Sequence, residues 1–475
     1  MPGRKKKSEK AEMLHVNGID AITGEYLLKP VSTATFARAV AGLPSDEESE
    51  AAARKRIEDL EDGLMKVIEG VDDTKVEQAG WGIVFSGRPE HAEAVKVIRR
   101  QLEPLIKHRQ AQAGKKLFHI YEGKEGVRQE TGPQWLARNG VGSGSADPED
   151  MPFYLLFAGP PDHIPFEIQY RVDLQRGVGR LSFQDPSDYG RYAAHVVEAE
   201  TNPSPADKRL EFLGPRNKGD VATSLSMSRL IQPLQEGLKS AVGWKVNSTV
   251  DKEATKLKFA AVVNTDSPAL FMSAGHGLGY PSGHDDQVSR QGALITGSWP
   301  GIGTTVTEEH TFAASDVAPD APLAGRMAFL FACYGGGTPA SDDFAHKIDP
   351  AAPKQIAEAA FVAALPQKLL AGGMLAVMAH VDRAWSHSFQ VPRAGEQIQT
   401  FQSTLRALMN GKPVGVAFDD FNVRTGELSF DLADLLSQVV AKSIDSYAPY
   451  AAVWTAATDS RNYLVLGDPA TRLSV

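Results

Sequence analysis

The chain has 475 residues, enough for two large or three ordinary domains and for a core that folds without staples. Apolar residues make up 42% and charged residues 23%, an ordinary globular composition that excludes wholesale disorder. Fifty basic residues against 59 acidic ones leave a net charge of −9, which argues against nucleic acid as a partner because phosphate binding needs a basic surface. The single cysteine, Cys333, excludes an intramolecular disulfide and any multi-cysteine zinc site, and points to a reducing compartment.

MPGRKKKSEKAEM (1–13) is basic but lacks the apolar stretch of a secretory signal. The most apolar region, 369–381, is too short to span a bilayer. The expectation is a cytoplasmic protein without membrane contact. Next comes a charge-rich stretch, 46–70, in which Ile57, Leu60, Leu64 and Val67 recur at helical spacing. It predicts an amphipathic helix in an N-terminal arm, which covers the groove of the main body, docks a regulatory partner or merely packs on a helix face.

From Trp81 the texture changes. WGIVFSG (81–87), KLFHIYEG (116–123) and MPFYLLFAGPPDHIP (151–165) predict buried strands, and a fourth is expected within 171–182. Helices are expected at 90–110, with Ala94, Val97, Ile98, Leu102 and Ile106 on one face, and at 187–200. The stretch 130–151 reads as a Gly-rich surface loop and 201–222 as a connection between two halves. The second half predicts a helix at 223–242, then strands running into loops at 269–277, 326–337 and 372–381, the last preceded by a helix at 353–370. Two late strands are expected at 453–456 and 462–469. Strands alternating with helices imply an α/β protein with a mostly parallel sheet. The expected division is an arm (1–75), an N-terminal α/β subdomain (76–215) and a catalytic α/β subdomain (216–475).

Two strand ends carry chemistry: Ser273-Ala274-Gly275-His276-Gly277 and Phe331-Ala332-Cys333-Tyr334-Gly335-Gly336-Gly337. Adjacent parallel strands deliver their following loops to the same sheet edge, so a crossover between these two sets His276 beside Cys333. A nearby imidazole raises the thiolate share of a cysteine or shuttles its proton. The flanking glycines admit a substrate backbone, and the N–H groups of Gly277 and Cys333 are candidates for stabilising an oxyanion. Taken singly, a buried cysteine is an ordinary small hydrophobe; it is the matched pair that points to catalysis. Nearby His284, Asp285 and Asp286 read as solvated loop residues, and no metal or other cofactor is expected.

Phe-Ala-Cys-Tyr-Gly with an upstream Gly-His-Gly resembles the caspase-like cysteine peptidases: caspases, gingipains, separases, legumains and the CHAT-type bacterial peptidases. Residues 153–165, Gly179-Arg180-Leu181 and the 463–469 stretch resemble the bacterial gingipain-type branch in particular. The resemblance spans roughly residues 80–475 and implies a three-layer α/β/α fold and a cysteine endopeptidase with a His276–Cys333 dyad acting on a protein or peptide. It also suggests substrate-lining roles for three residues, each with a plainer reading. Asp220 is a pocket acid or a helix N-cap, Asp382 a groove residue or a loop stabiliser, and Trp385 a groove wall or ordinary packing. Several relatives place an acid just before the cysteine to read a basic residue; here Phe331 and Ala332 stand there, so a preference for Arg or Lys does not carry over. By analogy the target is one dedicated protein in a bacterial stress or immune pathway. The alternatives are a catalytically idle scaffold that binds a protein partner and a hydrolase of non-peptide amides.

Overall fold

The computed structural model describes residues 13–14, 17–28, 30–32, 67–142, 144, 146–266, 268–342, 345, 354–391, 395–440 and 448–475. Most of the helix expected at 46–70 lies outside the described residues.

Ten strands form one sheet: β1 (Trp81–Val84), β2 (Phe118–Tyr121), β3 (Tyr154–Ala158), β4 (Gly177–Leu181), β5 (Arg209–Gly214), β6 (Lys245–Val250), β7 (Leu270–Ala274), β8 (Met327–Phe331), β9 (Ala376–His380) and β10 (Tyr463–Gly467). Their order across the sheet is β2-β1-β3-β4-β10-β9-β8-β7-β5-β6. Neighbours run parallel, except that β9 and β10 are antiparallel along their whole length, His380 facing Tyr463. The sheet therefore consists of two parallel blocks pointing in opposite directions, joined at that seam. β5, which the expected boundary at 215 assigns to the first subdomain, pairs with β7 in the second block.

Helices used below are α1 (Ala92–Ala113), α2 (Gly132–Arg138), α3 (Phe166–Val172), α4 (Ser187–Thr201), α5 (Val221–Ser226), α6 (Ala364–Ala371), α7 (Gln399–Met409), α8 (Asp419–Val440) and α9 (Ala448–Arg461). The first block is covered on both faces, as side-chain alternation along a strand requires. Ile83, Tyr154 and Leu156 pack with Val95, Ile98, Leu102, Tyr189 and Tyr192 of α1 and α4. Val84, Leu155 and Phe157 pack instead with Trp135, Leu136, Ile168 and Val172 of α2 and α3. The result is three layers, an α/β architecture built around a large, mostly parallel sheet.

Several expectations are corrected. The buried face of α1 runs through Val95, Ile98, Leu102, Leu105 and Ile106, while Val97 is exposed. β5 and β6 fall where a connection and no element were expected. The 130–151 loop contains α2, opened by a capping box on Thr131. Residues 453–456 are helical, not a strand: Ala451, Ala452, Ala456 and Ala457 favour a helix, and α9 packs along α8. Within 353–370 only the part from Ala364 is helical, because Phe361–Val362 is drawn into antiparallel pairing with Gly337–Thr338.

A separate four-stranded sheet covers the carboxyl edge of the second block. It is made by Thr311–Phe312, Leu294–Ile295, Gly277–Gly279 and, at its rim, the N-terminal strand Gly18–Asp20.

Candidate active site

β7 and β8 are adjacent and in register, Ala274 opposite Phe331. β8 is a continuous apolar run and β7 is apolar but for Ser273, and every residue of both is buried, as expected where a parallel sheet is covered on both faces. Two residues beyond each strand stand His276 and Cys333, so the pairing of the strands sets these residues side by side; both are fully buried. The loops touch closely. A methyl group added at Gly277 would stand 1.8 Å from the Cys333 carbonyl oxygen, so only glycine fits beside the cysteine.

His276 is held from one side. Its Nε2 lies 2.8 Å from Asp220 Oδ2, which assigns the proton to Nε2, while buried Nδ1 meets no hydrogen-bond partner. Asp220 is the N-cap of α5 and accepts from the N–H groups of Ala222 at 3.0 Å and Thr223 at 3.4 Å. The Thr223 hydroxyl and the Tyr26 hydroxyl, the latter at 2.7 Å, also donate to it. Burial alone would raise the Asp220 carboxyl, but His276 and these donors outweigh it and hold the group well below the usual carboxylate range. The plainer reading of Asp220 as a cap is thus met, and its carboxylate also meets the imidazole.

The Cys333 thiol is pinned to Ala384: Sγ accepts from the Ala384 N–H at 3.1 Å and faces the Ala384 carbonyl at 3.8 Å. Burial pushes this thiol far above its ordinary value, so it is protonated in this arrangement. The N–H groups of Gly277 and Cys333 converge on a single oxygen, the carbonyl of Asn17, each at 3.3 Å. Asn17 donates its own N–H to the Ala384 carbonyl at 3.0 Å.

The remaining candidates lie on the loop after β9. Asp382 has a left-handed backbone (φ 68°) and accepts at its carbonyl from the Tyr334 N–H, 2.7 Å away. It borders an open cleft of about 490 Å³ with Glu167, Tyr170, Ser341 and Arg461. Trp385 is buried in the main core, and its N–H donates to Asp459 Oδ1 at 2.8 Å. His380, at the end of β9, is engaged by Asp459, with Nε2 3.2 Å from Oδ1. His284 accepts locally from the Asp286 N–H. Among the described residues no group of three or more His, Cys, Asp or Glu side chains is placed to hold a metal ion, and no helix is long and apolar enough to cross a membrane. Sequence reasoning missed Asn17, Tyr26 and Ala384. The first two belong to a segment without periodicity, and Ala384 acts only through its backbone.

No family model matches the sequence, and no curated protein matches it. Solved structures with similar chain paths include the Arg-specific cysteine proteinase gingipain R, at 13% identity over 84% of this chain and 78% of that one, with a TM-score of 0.46. A complex of Porphyromonas gingivalis RgpB pro- and mature domains matches at 13% identity over 83% and 79%, TM-score 0.44. The Saccharomyces cerevisiae separase–securin complex matches at 12% identity over 67% of this chain but 15% of that one, TM-score 0.33. All three lie below a TM-score of 0.5, so the role of each residue rests on the geometry of the site itself.

Proposed function

We propose that the chain is a cysteine endopeptidase in which Cys333 is the nucleophile and His276 the general base and acid. The observation that carries this reading is the convergence of two backbone N–H groups, from Gly277 and Cys333, on one carbonyl oxygen beside the chain's single thiol. Donors aimed at a carbonyl oxygen in a water-poor site are what stabilises a tetrahedral acyl intermediate. His276 Nδ1 takes the thiol proton, the sulfur attacks the peptide carbonyl, and the imidazolium returns the proton to the leaving amine. Water then hydrolyses the thioester. Asp220 acts through His276, fixing its tautomer and balancing the imidazolium, and is therefore a positioning residue rather than a pocket acid. Asp382, beside the open cleft, remains the candidate substrate contact; the buried Trp385 fits ordinary packing better. No cofactor takes part in these steps.

The second reading, an idle scaffold that binds a partner, draws on the complete burial of the protonated thiol. Labelling with an electrophilic peptide separates the two. The native chain is expected to gain one covalent adduct at Cys333 and to cleave peptides. Cys333→Ala is expected to do neither while keeping its circular dichroism spectrum. Turnover that persists in Cys333→Ala removes the nucleophile assignment.

A further inference from the structure

We propose that the site's own substrate is built into the chain: the Asn17–Gly18 peptide bond is cut in cis by Cys333. This rests on the proteolytic reading above. Asn17 is anchored as an acyl group would be. Its carbonyl accepts from the Gly277 and Cys333 N–H groups, at 3.3 Å each, and its N–H donates to Ala384 at 3.0 Å. The chain then continues as the strand Gly18–Asp20, parallel to Gly277–Gly279, with Ile19 fully buried against Leu278, Ile295 and Trp299. Tyr26, farther along the same segment, reaches Asp220 with its hydroxyl. The segment thus engages the oxyanion donors, the thiol loop and the group that positions the imidazole.

The thiol lies against the residue after the bond. A methyl group at Gly18 would stand 3.1 Å from Cys333 Sγ and 2.5 Å from Leu27 Cδ1, so any side chain there has to push the Leu27 tip and the thiol aside, which favours glycine. Before the bond it encloses Asn17, which is 1% exposed. The substrate class is a polypeptide with a small uncharged polar residue before the scissile bond and glycine after it. In the reaction the Cys333 proton passes to His276 Nδ1 as sulfur bonds to the Asn17 carbonyl carbon. The Asn17–Gly18 C–N bond breaks, and His276 protonates the Gly18 nitrogen. Water cleaves the Asn17–Cys333 thioester, leaving an Asn17 carboxylate and restoring the thiol.

The test follows intact mass over time for the full chain and for Cys333→Ala at neutral pH. A peptide of residues 14–21 (LHVNGIDA) is assayed with Gly18→Val, whose added bulk against Leu27 and the thiol is chosen to displace the segment from the groove. The expected result is complete loss of residues 1–17 from the native chain, a new N-terminus at Gly18, an uncut Cys333→Ala chain, and cleavage of the peptide between Asn and Gly. The Cys333→Ala chain also controls for the intrinsic reactivity of an Asn-Gly bond, in which the Asn17 side-chain nitrogen can attack the Asn17 backbone carbonyl carbon and expel the Gly18 amine; loss of residues 1–17 there too overturns the proposal. A native chain that stays whole while Gly18→Val cuts the peptide overturns self-cleavage but leaves proteolysis standing. If the native chain stays whole and Gly18→Val neither cuts the peptide nor reacts with an electrophilic one, the proteolytic reading falls as well.

Discussion

The imidazole of His276 has one nitrogen committed to Asp220 and one left open. In the proposed mechanism that asymmetry gives the base and acid roles to the same atom, Nδ1. His276→Ala is therefore expected to lower kcat/KM on a peptide by about 10²-fold or more; a fall of only a few-fold would pass the proton role to another residue. Asp220→Asn keeps the volume but loses the carboxylate. It is expected to lower kcat by about 10²-fold with little change in KM, the signature of an interaction made in the transition state. Asp220→Glu should restore part of the loss, whereas a merely structural cap would show matching losses of stability in both variants. Backbone conformation adds to the site at this scale. Tyr334 (φ 58°) and Asp382 (φ 68°) both adopt left-handed backbone, at a cost of about 1–2 kcal/mol per residue. The Tyr334 N–H bonds to the Asp382 carbonyl, so the two strained residues lock the ends of β8 and β9 together beside the thiol.

Among the elements, α1 and α4 are joined by an ionic cluster. Arg109 donates to both Glu200 oxygens, at 2.6 and 2.7 Å, and His108 lies 2.8 Å from the same carboxylate. Burial raises the Glu200 carboxyl, but Arg109, His108 and Gln112 outweigh it and hold it at about 2, against an ordinary 4.5. A carboxylate held low stabilises the fold fully above its unfolded value and loses that contribution as pH falls toward the folded one. The shift corresponds to about 3 kcal/mol. The urea midpoints of the native chain and Glu200→Gln are thus expected to differ above pH 5 and to converge between about 4.5 and 2. A constant gap over that window would remove the cluster as its source. Elements differ in how legible they are from sequence. β1, β3 and β8 are unbroken apolar runs ending in loop residues, β9 is one up to His380, and they read directly. β5 (RLEFLG) and β6 (KVNSTV) mix polar residues into the strand, β6 because it is the sheet edge and half solvated. Pairing rather than pattern makes them strands. In the site, the neighbouring strand ends bearing His276 and Cys333 are readable from their matched form. The contact of Asp220 with His276 spans 56 residues and leaves only an N-cap signature in the sequence. The segment 17–28 has no period to read, because its order comes from the groove it occupies.

For the whole molecule, the two blocks of the sheet are tied at the seam where β10, the last strand of the first block, meets β9 of the second. Asp468, just after β10, accepts from Arg109 Nε at 2.7 Å and Trp81 Nε1 at 3.0 Å, all three groups being buried. Tyr192 of α4 donates to the carbonyl of Leu375, just before β9, and accepts from the Asp468 N–H. Asp468→Ala leaves a buried guanidinium short of a partner and is expected to cost about 3–5 kcal/mol. Because the tie spans both blocks, the loss should appear as one shifted denaturation curve when tryptophan fluorescence and far-ultraviolet dichroism are compared; two separated transitions would mean that the blocks fold independently. The central place of β10 also has a consequence in time. It follows every other strand of the sheet in sequence, and 467 − 333 = 134 residues separate its last residue from the thiol. At roughly 5–20 residues per second, synthesis needs about 7–27 s to span that gap. From the completion of β9 until β10 emerges, β9 lacks its antiparallel neighbour and the sheet stands open on that side. The segment bearing Asn17 and Gly18 has by then long left the ribosome, so the groove closes around an occupant that was made before the cysteine was.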